Sequence, residues 1–336
     1  MPAVSIRDVA IRAGVSVGTV SNVLNRADKV SPAAVERVTA AIEELGYVRN
    51  DAARQLRAGR STSVGLVVLD VRNPFFTDVA RGAEDAATAA GLSVLLGNSD
   101  ESVARESAYL DLFEEQRVSG LLVTPVGDTL GRLRRLRDRG TSVVLVDRLS
   151  ADRAVSSVSV DDVAGGRLAV AHLLESGRSR IAFVGGPMEI RQVSDRLEGA
   201  RQAVAGRPDA SLEVLTTAAL TVLEGRVVGQ ALLERPALER PDAVFAANDL
   251  VAMGLLQALV MNGAQLVPRE IALIGFDDID FASAAVVPLS SVRQPSQLIG
   301  ETALRILLEE AADPGLAPQQ VVFQPELVVR ASTSPR

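Results

Sequence analysis

Two groups of residues in this chain have types and spacings that could do chemistry, and in both the chemistry is recognition rather than bond making. The first is Ser16, Val17, Gly18, Thr19, Ser21 and Asn22, followed by Asn25 and Ser31. Asn22 can offer an adenine edge a bidentate pair of hydrogen bonds, and Val17 can touch a thymine methyl; Gly18 has nothing to read with. Ser16, Thr19, Ser21, Asn25 and Ser31 place hydroxyls and amides near helix ends, where phosphate contacts fix register without carrying sequence information. The second group follows short apolar runs: Asp70 to Asn73 with Phe75 and Phe76, Asn98, Thr124, Asp147 and Arg148, Gly185 to Pro187, Asn248 and Asp249, then Phe276 and Asp277. Paired donors and acceptors beside flat apolar rings suit a polyhydroxylated small molecule such as a sugar.

Other chemistries find little support. The chain has no cysteine, hence no disulfide framework or thiolate metal site. The first apolar run leads into "DVRNPFF" without G-x-G-x-x-G, and no G-x-x-x-x-G-K-[ST] loop occurs, so no nucleotide cofactor is expected. His172 is the only histidine and sits among Val170, Leu173 and Leu174, where a structural role is the natural one. In "FDDID" the carboxylates resemble a metal or acid–base pair; the reading adopted has Asp277 accepting ligand hydroxyls, with Asp278 and Asp280 solvated. An enzyme is therefore not expected, and neither is a bound metal.

The first group must be positioned by short helices. Ser5 and Asp8 form a capping box for a helix that runs to Ala13 and stops at Gly14. Ser16 caps a second to about Leu24, giving two short helices across a tight turn, the helix-turn-helix arrangement. Ser31 caps a third, with Pro32 at its first position, a Val30 and Val35 staple, and Gly46 at its end. Val9, Val15, Val20, Leu24, Val38, Ile42 and Leu45 recur at helical spacing and can close one small core. An ordinary three-helix bundle is the competing reading. Against it stands "RNDAARQLRAGRS", a two-turn basic stretch with Asn50 as N-cap, Ala53 and Leu56 on one face, and Arg57 for phosphate. Leu56 could enter a minor groove as an apolar wedge.

Beyond Gly59 the rhythm changes to short apolar runs alternating with amphipathic stretches that stop at Gly. "VGLVVLD", "SVLLGN", "GLLVTP" and "VVLVD" form one series; "IAFVGG", "LEVLT", "AVFAAN" and "IALIGF" form a second that begins near Asp161. That is the punctuation of parallel sheets covered by helices, in two doubly wound subdomains, with "LSSVRQP", a helix, "VVFQ" and "ELVV" closing the chain. Such sheets bind ligands beyond the carboxyl ends of their strands.

The head and hinge together resemble the LacI/GalR family of bacterial transcription regulators, and the rest of the chain fits that family throughout its length. The resemblance implies a headpiece at 1–49, a hinge helix and linker at 50–60, and a periplasmic-binding-protein-like body at 61–336. Within the body it implies strands that cross between subdomain one (about 61–160 and 293–322) and subdomain two (about 161–292 and 323–334). It further implies minor-groove insertion by Leu56, a homodimer that brings two hinges to a pseudo-palindromic operator, and effector contacts at Phe75, Phe76, Arg148, Arg196, Asn248, Asp249, Asp277 and Gln294. Arg191, whose loop varies within the family, is a further candidate, and Phe276 joins the set as a strand-end ring. For Asn248, Asp249 and Phe75 the alternative is helix capping or packing.

Charge agrees with this division of labour. Residues 1–60 hold nine Arg or Lys against six Asp or Glu; the remainder holds 26 against 36. Affinity for nucleic acid belongs to the head, while the acidic body repels phosphate. At 336 residues and 47% hydrophobic content the chain is long enough for two or three domains. No stretch reads as a signal sequence or a membrane span, so a cytoplasmic regulator is expected, with a sugar-like effector; a purine-like effector is the alternative, and a solute-binding transport component a distant third.

Overall fold

The structure, a computed structural model, describes residues 4–47, 61–127, 129–150, 153–261 and 266–334. It divides into two compact units, Met1–Arg60 and Ser61–Arg336. The hinge candidates Asn50, Ala53, Leu56 and Arg57 lie outside the described residues.

The first unit holds helices α1 (Ile6–Ala13), α2 (Val17–Asn25) and α3 (Pro32–Leu45). The capping box opens α1: Ser5 N and Oγ both donate to the Asp8 carboxylate, at 2.8 and 2.7 Å, and Asp8 N returns to Ser5 Oγ at 3.4 Å. Gly14 ends the helix at φ 65°, a left-handed conformation that glycine adopts without a Cβ clash. On α2, Thr19 N donates to Ser16 Oγ at 3.0 Å. Ser31 departs from expectation, because its side chain makes no capping bond. The Ala34 amide donates to the Ser31 carbonyl, at 2.9 Å. Val9, Ala10, Ala13, Val20, Val38 and Ala41 form the buried core, with Val15, Leu24, Ile42 and Leu45 packed around them.

The second unit is built on two six-stranded sheets. Its strands are β1 (Ser63–Val68), β2 (Ser93–Asn98), β3 (Gly120–Val123), β4 (Ser142–Val146), β5 (Ser156–Val160), β6 (Arg180–Val184), β7 (Ser211–Leu215), β8 (Ala243–Ala246), β9 (Ala272–Asp277), β10 (Ser290–Arg293), β11 (Gln320–Phe323) and β12 (Glu326–Val328). One sheet has the order β11-β5-β4-β3-β1-β2 and the other β12-β10-β9-β8-β6-β7. Pairing is parallel except for β12, which runs antiparallel to β10. Central strands such as Val64–Val68 are buried along their whole length, because helices cover both faces. Each buried Val or Leu contributes about 1.5–3 kcal/mol.

The chain passes from one sheet to the other three times: after Val160, after Arg293 and after Phe323. β5 escapes the apolar-run criterion, since "SSVSV" is mostly serine. It is nevertheless buried throughout: Ser156 Oγ donates to the Glu310 carboxylate and Ser157 Oγ to the Gln320 side-chain carbonyl, while Ser159 Oγ is buried without a hydrogen-bond partner.

One close helix crossing positions the site. Helix Asp162–Glu175 packs on helix Arg191–Ala205 at Gly166 and Gly199. A Cβ on Gly166 would lie 2.0 Å from the Arg196 carbonyl oxygen, and one on Gly199 would lie 2.0 Å from that of Val163. Only glycine allows the backbones this near. The approach carries Arg196 onto Asp162.

Candidate functional site

Where the carboxyl ends of the two sheets face each other, a buried polar network spans the subdomains. Arg196 is its centre and is 4% exposed. Its Nε donates to Asp162 Oδ1 at 2.8 Å, its Nη1 donates to the Ala247 carbonyl at 2.7 Å and lies 3.8 Å from Asp277 Oδ1, and the guanidinium stacks 3.7 Å from the centroid of Phe276. Asp277, at the end of β9, accepts Nδ2 of Asn73 at 2.8 Å from the first subdomain and Nε2 of Gln294 at 2.8 Å from the chain leaving β10. A second bridge joins the subdomains. Gln192 Nε2 donates to Asp147 at both the backbone oxygen, 2.6 Å, and Oδ2, 2.9 Å.

Three carboxylates therefore surround one guanidinium in a water-poor space. Burial pushes the Asp147 carboxyl well above its usual range, and repulsion from Asp162 adds to this. Burial also raises Asp162 to about 6, with Arg196 opposing. Asp277 is raised by burial, an effect that Arg196, Asn73 and Gln294 offset in part. For Arg196 burial acts downward, but Asp162, Asp277 and Asp147 outweigh it and hold the guanidinium above its ordinary value. Three polar atoms of this network are buried with no hydrogen-bond partner: Asp147 Oδ1, Gln192 Oε1 and Gln294 Oε1.

The structure thus brings Arg196, Phe276, Asp277 and Gln294 together. Phe75 and Phe76 are buried beside Asn73, their rings edge to face at 4.9 Å. Asn248 acts as an N-cap, its Oδ1 accepting Val251 N at 2.9 Å, while its Nδ2 donates to the Leu220 carbonyl at 3.4 Å. Asp249 is fully buried within the second subdomain, its oxygens taken by Ser291 Oγ at 2.7 Å and Ile279 N at 2.9 Å. Half-buried Arg148 donates to the Gly127 carbonyl at 3.1 Å. Arg191 is not drawn in: it lies on the surface and pairs with Asp195 one helical turn along. Asp278 is also not solvated as expected; its side chain is 4% exposed and bonded to two arginines.

Four members of the network were not among the sequence-derived contacts. Asn73 and Asp147 figure there only as strand-end residues. Asp162 and Gln192 carry no signal of their own, because a carboxylate or amide in a first helical turn looks like helix-end chemistry.

In the headpiece, Ser16, Val17, Gly18, Asn22, Asn25 and Ser31 are exposed, and Thr19 and Ser21 are half-buried. Val17, Gly18 and Asn22 share one face of α2. Asn25 is committed locally, since its Nδ2 donates to the Ser21 carbonyl at 2.7 Å.

At the rim of the cleft, Glu101 Oε1 accepts the Leu220 amide at 3.4 Å across the subdomains. Burial raises this carboxyl to about 7, and Asp70 adds to the rise, while the Leu220 bond and Arg72 oppose it. A carboxyl raised above its unfolded value favours the fold most below about pH 4.5 and loses that contribution as pH climbs through 7. Glu101→Gln keeps the acceptor and removes the titration. The variant is expected to melt above the unmodified protein at pH 8 and level with it at pH 4.5, as calorimetry across that range would show; a difference independent of pH would contradict it.

Among the described residues no group of His, Asp or Glu has the arrangement of a metal site, and no helix is long and apolar enough to cross a membrane. Comparison with known proteins finds two family models, one of bacterial regulatory proteins of the lacI family over residues 5–50, the other of a periplasmic binding protein-like domain over residues 170–333. The ribose operon repressor of Halalkalibacterium halodurans is 35% identical over 330 residues, covering 98% of this chain and 97% of that protein. A lac repressor dimer bound to operator and an anti-inducer superposes with a TM-score of 0.81 at 27% identity, over 98% of this chain and 99% of that one. A LacI family regulator from Enterococcus faecium with bound ribose matches at 0.73 and 28% identity, over 82% of this chain and 99% of that one.

Proposed function

The chain belongs to the LacI family of bacterial regulatory proteins, and from that premise we propose that it is a repressor whose grip on operator DNA is set by a small sugar in the cleft of its body. The observation that carries the sugar is the trio of unpartnered buried atoms, Asp147 Oδ1, Gln192 Oε1 and Gln294 Oε1. The two amide oxygens can only accept, and the Asp147 oxygen accepts or donates according to its protonation. Hydroxyl groups do both, so a polyol satisfies all three, whereas a purine presents donors and acceptors in a fixed order. The Arg196 and Phe276 stack supplies a flat wall for a sugar ring. The related repressor named for ribose makes a pentose the first candidate.

Thermal shift with D-ribose, other pentoses, hexoses and purine nucleosides tests this reading. A ligand at one hundred times its dissociation constant stabilises the body by about 2.7 kcal/mol. Stabilisation by nucleosides alone would transfer the reading to a purine effector. Binding to a duplex selected from a random pool, with and without the sugar, gives the sign of regulation. We read the protein as non-enzymatic and cytoplasmic, divided into headpiece 1–49, hinge 50–60 and body 61–336, and acting as a homodimer, as the matched lac repressor does on its operator.

On the DNA side we assign base contacts to Val17, Gly18 and Asn22, backbone contacts to Ser16, Thr19, Ser21, Asn25 and Ser31, and hinge contacts to Asn50, Ala53, Leu56 and Arg57. Asn22→Ala is expected to lose about 1–3 kcal/mol of discrimination at one base pair per half-site. Gly18 provides the companion test. A Cβ there meets nothing nearer than Ser16 Oγ at 3.5 Å, so a long side chain leaves the headpiece folded and changes the preferred site. Site selection in which both variants keep the original preference would rule out this docking.

A further inference from the structure

The backbone that presents Asp277 is unusual. Asp277 and Asp278 follow each other at φ 106° and 56°, both left-handed, where a side-chain-bearing residue is strained. Aspartate tolerates this better than most residues, but two in succession must be held by their surroundings. The turn is fixed at three points. Asp278 N donates to Ser291 Oγ at 3.1 Å, and Ile279 N donates to Asp249 Oδ2 at 2.9 Å. The Asp278 carboxylate takes Nε of Arg293 on Oδ2 at 2.8 Å and Nη1 of Arg330 on Oδ1 at 2.5 Å.

Those two arginines stand at consequential places. Arg293 is the last residue of β10, opposite Asp277 in register, and from it the chain crosses to the first subdomain. Arg330 follows β12, the strand through which the chain returns, and its Nη1 also donates to the Leu289 carbonyl at 2.8 Å. The carboxylate thus joins the turn bearing Asp277 to strands at two of the three crossings between subdomains.

We propose that Asp278, clamped by Arg293 and Arg330, is a positioning residue for effector binding: it does not touch the effector but holds Asp277 in the conformation in which it meets Asn73, Gln294 and the ligand. The proposal rests on the reading of the cleft as the effector site. The clamp also ties that conformation to the two strands at which the chain passes between the subdomains.

Asp278→Asn tests it, since asparagine keeps the volume and the tolerance of a left-handed backbone while losing the charge that holds both arginines. D-ribose affinity by calorimetry is expected to fall at least tenfold. Affinity for a duplex selected by the unmodified protein, measured without sugar, should stay within twofold, even though the loss of a buried charge lowers the melting temperature of the body. Unchanged D-ribose affinity would overturn the proposal; so would a parallel fall of sugar binding and duplex binding, the mark of a merely structural residue. Arg293→Met, at a half-exposed position, serves as second variant should Asp278→Asn fail to fold, with the same expectations. If the unmodified protein binds no D-ribose, that result goes against the pentose reading and hydrogen exchange decides the clamp. Amides of Asp278 and Ile279 should exchange faster in the variant than in the unmodified protein while those of β8 do not change, and equal exchange at the turn would refute it.

Discussion

Arg196→Ala is expected to abolish sugar binding and to destabilise the body, while duplex binding in the absence of sugar persists. Arg196 pairs with Asp162, lies 3.8 Å from Asp277 and acts on Asp147 through its charge, and it also satisfies the Ala247 carbonyl and covers Phe276. Removing one partner from a buried ion pair costs about 3–5 kcal/mol, because the remaining buried charges lose their compensation. The site loses its stacking wall and its strongest donor together, so an affinity loss of at least a hundredfold is expected on calorimetry. The pH dependence provides an internal check. Without the guanidinium the carboxyls rise further above the unfolded value of 3.8, so the variant regains stability as pH falls through the raised values. Its deficit in melting temperature should be smaller at pH 5 than at pH 8. Unchanged D-ribose affinity would remove Arg196 from the site, and a deficit that widens in acid would contradict the charge argument.

The readability of this chain follows the kind of interaction that each element depends on. The headpiece helices are set by caps and periodicity within a few residues, so Ser5 with Asp8, Ser16 with Thr19, and Gly14 mark their ends in sequence alone. Parallel strands buried on both faces are nearly continuous apolar runs, which is why β1, β3 and β9 stand out. β5 does not, because two of its three serines, Ser156 and Ser157, find their partners in Glu310 and Gln320, more than 150 residues away. The three passages between sheets have no local signature at all; resemblance to the family supplied that expectation. In the cleft the structure brings together Arg196, Asp277 and Gln294, named from the family positions, and Phe276, named from its place at a strand end. Asp162 and Gln192 could not be foreseen, for what draws them into the network is the Gly166 and Gly199 crossing and the facing of two sheets. Asn248 and Asp249 illustrate a real ambiguity: the same pair of residues that ends a strand with polar groups also begins a helix, and here the helix and the adjoining turn take both side chains.

Val20→Asp is expected to erase duplex binding and leave sugar binding untouched. Val20 is 0% exposed at the centre of a core whose other buried members are Val9, Ala10, Ala13, Val38 and Ala41, all small and apolar. So small a core buries little area and leaves little stability to lose. A carboxylate placed among those side chains finds no partner, and even in its neutral form an unpaired buried polar group costs at least about 1–3 kcal/mol. The headpiece should unfold. The body forms a separate compact unit with its own sheets and cores, so its melting transition and its D-ribose shift should be the same as in the unmodified protein. Ile11→Asp makes the control, because Ile11 is 80% exposed and a surface change of this kind stays within about 0.5 kcal/mol. Anisotropy with a labelled duplex, run beside sugar titration on the same samples, separates the two functions. Loss of sugar binding in Val20→Asp would show that the body depends on a folded head, and retained duplex binding would place DNA recognition outside the three-helix unit.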